Sequence, residues 1–118
     1  MKRPMHYKEA YAVSADFLNK VWFSPIHPES FFEVHSYPII GERYNGAPIY
    51  AFLNLKLNQD KSSPDEGEIT ITVQDFIHGN WLYDGYFLSF VGKPNKSELA
   101  EHIKGICGRY NFTLIEKL

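Results

Sequence analysis

Histidine, cysteine and carboxylate side chains are the groups of this chain able to move protons, attack carbonyls or hold metals. The histidines are His6, His27, His35, His78 and His102, and the one cysteine is Cys107. Metal sites recruit such ligands at short, recurring spacings, and the chain has no His-x-x-x-His or Cys-x-x-Cys pair, so neither a metal nor a cofactor is expected. The nearest approach to a constellation is Glu33 with His35, which a strand would set on one face, where His78 or Glu29 could join them. Cys107 falls on the same helical face as Leu99 and Ile103, which reads as a buried structural thiol rather than a nucleophile. The segment Gly41 to Gly46 has the glycine spacing of a phosphate loop, but Ala47-Pro48 stands where the loop's Lys-Ser/Thr would contact phosphate and magnesium.

Aromatic residues are the second chemical resource: nine Phe, eight Tyr and two Trp, concentrated in the middle of the chain. Such rings serve a dense core or a binding surface. The run Asp84 to Val91 is superficially similar to the base-stacking strand of RNA-recognition domains. It departs from that pattern at Asp84, where a basic residue belongs, and at Phe87, where a small one does. Trp81, Tyr83 and Tyr86 are the candidate protein-binding residues, since Trp and Tyr are enriched at binding hot spots. Tyr83 and Tyr86 are an odd number of residues apart, so they share a face only if Gly85 marks a bulge.

The elements that must position these groups follow from periodicity. Tyr7 to Val13 reads as a strand or as the start of a helix reaching Trp22. Ser14 favours a helix starting there, with Ser14 as N-cap, Asp16 in the first turn and Phe17, Leu18, Val21 and Trp22 as its stripe. Pro25 and Pro28 stop that helix and keep the following connector extended. Phe31 to Leu57 predicts a β-hairpin around a two-residue type I′ turn at Asn45-Gly46. In its second strand Ile49, Ala51, Leu53, Leu55 and Leu57 alternate with Tyr50, Phe52, Asn54 and Lys56; the second set is mixed, so its end near the turn is expected to be half-buried.

Asn58 to Gly67 forms a solvated loop, and Ile69, Ile71 and Val73 alternate with polar partners in a strand buried on one face. After the turn Ile77 to Asn80 comes the aromatic strand Trp81 to Val91. A helix capped by Asn95 and Glu98 is ended by Gly108, and a last strand occupies Phe112 to Leu118. The pattern predicts one α+β domain over residues 1–118: an antiparallel sheet of about five strands with one or two helices packed on one face.

Composition narrows the function classes. With 44% hydrophobic and 22% charged residues the chain can build an ordinary core. A net charge of −2 gives no positive field, which disfavours nucleic acid. No apolar run is long enough for a signal peptide or membrane span, and one cysteine suits a reducing compartment, so a cytoplasmic location is expected. The Asn-x-Ser/Thr triplets at Asn95 and Asn111 are read as chance.

The leading expectation is a non-enzymatic domain that binds another protein, of the inhibitor or immunity kind that neutralises a toxin or enzyme. The alternative is a small enzyme or small-ligand binder using Glu33, His35 and His78 with a tyrosine, in a pocket between sheet and helix. A third possibility is a homo-oligomer pairing through an edge strand at Phe112 to Leu118.

Overall fold

The computed structural model describes residues 5–22, 31–43, 45–59, 66–91, 94–109 and 111–115; within them, nothing is said of the side chains of Trp22, Phe31, Phe32, Glu33, Gln59, Glu66, Asp84, Tyr86, Phe87 and Arg109. The connector holding Pro25 and Pro28 and the interior of the acidic loop, 60–65, lie outside the described residues. The element order is α1 (Tyr7–Trp22), β1 (Phe31–Glu42), β2 (Pro48–Gln59), β3 (Glu66–Asp75), β4 (Trp81–Val91), α2 (Lys96–Arg109) and β5 (Thr113–Leu114). This is the α+β class read from the sequence.

All pairings are antiparallel, in the order β4-β3-β2-β1-β5. The first four strands form a meander, and α2 lies between β4 and β5, which occupy opposite edges of the sheet. Opposed residues share a face, so the register fixes one inward row after another: Tyr37, Leu53 and Val73; His35, Leu55 and Ile71; Leu57 and Ile69. Leu53, Leu55, Leu57, Ile69, Ile71 and Val73 are all fully buried. Each contributes about 2 kcal/mol through the apolar area it removes from water.

The helices supply the second layer. In α1 the buried positions Ala10, Val13, Ser14, Phe17, Leu18 and Val21 recur at helical spacing, and in α2 Leu99, Ala100, Ile103, Ile106 and Cys107 do the same. The Tyr37 hydroxyl joins sheet to helix, donating to Asp16 Oδ2 at 2.7 Å, while Lys20 pairs with the same oxygen at 2.9 Å. Burial and the neighbouring carboxylate hold the Tyr37 phenol well above its ordinary value. Burial opposes ionisation of Asp16, but the hydrogen bonds from Tyr37 and Lys20 outweigh it and leave that carboxyl lowered. Met5 N donates to Phe112 O at 3.0 Å, and the Thr113 hydroxyl donates to Glu9 at 2.8 Å, which tie β5 to the start of α1. No described helix is long and apolar enough to cross a membrane.

Three local expectations are corrected. The first helix begins at Tyr7, replacing both the strand reading and the start at Ser14, because the apolar stripe already includes Ala10 and Val13. Ser14 sits mid-helix and fully buried, its hydroxyl satisfied by donating to Ala10 O one turn back at 2.9 Å. The β1–β2 turn is not a two-residue turn. β1 ends at Glu42 and β2 begins at Pro48, and between them Arg43 N donates to Ala47 O and Gly46 N to Arg43 O, each at 2.8 Å, with Gly46 at φ 87. Helix α2 runs past Gly108 to Arg109, and the left-handed residue after it is Asn111, at φ 54. Asn95 caps α2 as expected, its Oδ1 accepting from Ser97 N at 2.8 Å and Glu98 N at 3.2 Å. The last strand is described only over Thr113–Leu114; residues 116–118 of the expected edge lie outside the described residues.

Gly67 marks a close approach rather than a turn. A Cβ there would lie 2.5 Å from the Phe90 ring and 2.9 Å from the Asn58 carbonyl oxygen. The ring can rotate but the carbonyl belongs to the β2 backbone, so Gly67→Ala is expected to cost about 1–3 kcal/mol through overpacking. Urea unfolding of the two proteins measures it.

Candidate functional site

The residues proposed from sequence are dispersed by the fold. His35 lies mid-way along β1 in the inward row, with its ring edge-on to Phe17 at 5.8 Å, and Glu33 is two residues away on the same strand. His78 lies in the β3–β4 turn, next to Asp75, whose row contains Ile39 and Ala51. Four residues of strand separate His35 from that row, about 13 Å, and two strand spacings add about 10 Å across the sheet. Glu33, His35 and His78 therefore do not meet in one pocket, and the described residues hold no cluster of three metal-ligating side chains.

The companion that His78 does have is Asp75. His78 Nδ1 lies 3.1 Å from Asp75 Oδ2, and Asp75 Oδ1 accepts from Ile77 N at 2.8 Å. Backbone bonds complete the turn: Asp75 N donates to Asn80 O at 2.8 Å and Gly79 N, in a residue at φ 71, donates to Asp75 O at 3.0 Å. A carboxylate oriented on a histidine resembles half of a catalytic relay. Here the same carboxylate closes the turn, which fixes Phe76 and Ile77 at its tip. The hydrogen bond from His78, and after it the Ile77 amide, holds the Asp75 carboxyl below its ordinary value of 3.8.

The aromatic strand is rearranged by two bulges. From Ile71 to Val73 of β3 the partner moves from Tyr86 to Tyr83, three residues against two; from Val73 to Gln74 it moves from Tyr83 to Trp81, two against one. Gly85, at φ 75, supplies the backbone conformation of the first. This bulge is the condition under which Tyr83 and Tyr86 share a row, and they do by register, opposite Val73 and Ile71. Tyr83 lies on the inward side, half-buried against the core. The second bulge separates Tyr83 from Trp81, which regular alternation would have kept together. Trp81 stands opposite Gln74 on the other face and is 56% exposed.

That other face is the one the helices leave open, and its two ends differ. Toward the β2–β3 loop it is mostly polar, carrying Ser36, Asn54 and Thr72, Lys56 and Thr70, Glu68 and Ser89 beside the exposed Val34 and Val91, with the Ser36 hydroxyl 2.6 Å from Asn54 Oδ1. Toward the two hairpin turns it becomes apolar. Pro38, Phe52, Gln74 and Trp81 form one row across four strands, and Ile40 with Tyr50 forms the next. Phe76 joins through its amide, which donates to Tyr50 O at 2.9 Å, and its ring lies 5.4 Å from that of Phe52. Pro38, Tyr50, Ala51, Phe52, Phe76, Ile77 and Ile115 line a half-open groove of about 550 Å³. Tyr50 is 45% exposed, Phe76 62% and Ile77 70%.

Among the sequence candidates whose side chains are described, Trp81 alone belongs to this surface. Tyr50, Phe52, Phe76 and Ile77 were missed as binding residues, although the mixed outward set of β2 already carried the signal: two aromatics near the turn, then Asn54 and Lys56.

Comparison with known proteins adds no relative: no family model, no curated protein and no solved structure matches the chain.

Two measurements follow from these environments. A carboxyl held below its unfolded value stabilises the fold fully above that value, and the contribution is lost as pH falls through the lower folded value. Thermal unfolding of the native protein is therefore expected to steepen in pH dependence below about pH 4, with Asp75→Asn flattening that acid limb. Burial pushes the Cys107 thiol up to about 12, so it remains a protonated thiol near neutrality. A disulfide reagent at pH 8 is expected to label Cys107 only as fast as the protein opens, and fully in denaturant.

Proposed function

We propose that this chain is a protein-binding domain, of the kind that inhibits or neutralises a partner enzyme or toxin in a reducing compartment such as the cytoplasm, and that it docks through the apolar half of the sheet's open face. The observation that carries the reading is the clustering of Tyr50, Phe76, Ile77 and Trp81, all substantially exposed, on a face that no described element covers. A half-exposed aromatic offers on the order of 100 Å². The four side chains thus present roughly 400 Å², the size of the largest patches on monomeric proteins, which are often functional.

The area also selects the kind of partner. A standard interface buries about 800 Å² per partner, and obligate dimers bury more with a more apolar surface. An apolar centre of half that size, beside a polar rim of Ser36, Asn54, Thr72 and Gln74, fits a non-obligate complex with a different protein. The groove is large enough for a small ligand, but its lining offers only the Tyr50 hydroxyl among side-chain polar groups, whereas ligand sites place several to fix orientation.

Affinity capture with the native protein, followed by calorimetric titration of the purified partner, tests the reading. Phe76→Ser and Trp81→Ser are each expected to weaken binding by about 1–3 kcal/mol, the range for residues at the centre of an interface. Tyr83→Phe, on the inward row, is expected to leave affinity unchanged. Undiminished affinity in the Phe76 and Trp81 variants would sink the proposal.

A further inference from the structure

The sheet has two edges of very different character. Among the described residues, β5 contributes two residues beside β1 at one edge; at the other, β4 is the terminal strand and runs for eleven residues. Long edge strands present rows of backbone donors and acceptors, and proteins blunt them with charges, prolines, bulges or short length. Both bulges of β4 fall in its first half, as does Asp84. From Tyr86 to Val91 the strand is regular against Ile71 to Glu66, and Gly85 to Val91 contains neither a charge nor a proline.

The core is also thinner along this margin. Leu53, Leu55 and Leu57 of β2 and Ile69, Ile71 and Val73 of β3 are fully buried, but Tyr83, Leu88 and Phe90 on β4 are only partly so. On the outer face Ser89 is exposed and Val91 is 81% exposed.

We propose that a second copy of this chain pairs with β4, antiparallel about a two-fold axis at Leu88, joining two five-stranded sheets into one of ten strands. The axis at Leu88 is the one that pairs the whole uncharged run with itself: Tyr86 stands opposite Phe90, Phe87 opposite Ser89, and Leu88 opposite its own copy. No like charges meet, and each half-buried inward row is extended by the partner's, so a second copy meets the chemistry of this edge without any other sequence. The axis is perpendicular to the sheet, so both open faces point the same way. Trp81 lies seven residues from the axis, about 24 Å, which leaves each apolar patch clear of the joint. The dimer is therefore independent of the protein-binding reading.

Sedimentation over micromolar to millimolar concentrations, with hydrogen exchange of the amides of residues 86–91, tests it. The native protein is expected to approach two chains in mass as it is concentrated, with those amides gaining protection in step. Ser89→Lys with Val91→Lys changes only exposed, outward positions and sets like charges diagonally across the joint. It is expected to weaken self-association roughly tenfold or more while the circular dichroism spectrum stays native. A native protein that stays monomeric throughout overturns the proposal. So does a dimer indifferent to the two lysines, or one abolished by Phe76→Ser, which would place the joint on the open face instead.

Discussion

Everything in this molecule depends on the antiparallel register of β1, β2 and β3. Because side chains alternate with a period of two, a single alignment puts Leu53, Leu55 and Leu57 level with Ile69, Ile71 and Val73, and His35 and Tyr37 in the same rows. A slip of one residue would turn every one of them toward water. With two helices to cover one face, that alignment buries both strands' apolar sets, and it leaves the opposite face uncovered by any described element.

Strand β4 departs from that regularity, and the departure has consequences on both faces. Its two bulges shift the register between Trp81 and Tyr83, and again between Tyr83 and Tyr86. Tyr83 is thereby drawn to the core and Trp81 released to the surface, at the position where the row Pro38, Phe52 and Gln74 reaches the sheet edge. The bulges also confine the regular, uncharged part of the edge to its second half. One local distortion thus shapes both the open face and the edge.

Asp75 is the hinge between the core and the open face. It ends the inward row of β3, opposite Ala51, where a buried carboxylate would be costly without partners. It obtains them from the turn: His78 on one oxygen and the Ile77 amide on the other. The same bonds that make the carboxylate tolerable fix a turn whose tip holds Phe76 and Ile77. Polar satisfaction at the margin of the core and apolar display outside it are one structural event.

The sequence by itself determined the α+β class, the run of four strands between the two helices, the buried faces of β2 and β3, the Asn95 cap and the bulge at Gly85. These are signals of short range, in which a residue's neighbours at two, three or four positions decide its environment. It also placed Cys107 in the core by helical spacing alone. Where two short-range signals competed, as at Ser14 and at the Asn45-Gly46 turn, the propensity of one residue misled, because packing of Ala10 and Val13 and the register at Pro48 outweighed it. Tertiary structure alone decided the strand order, the separation of His35 from His78, the inward turn of Tyr83 and the gathering of Tyr50, Phe52, Phe76 and Trp81 from two strands and a turn. The physical reason is that alternation assigns residues to two faces, while which face is covered depends on where the helices lie and on how far each bulge shifts the register across the sheet.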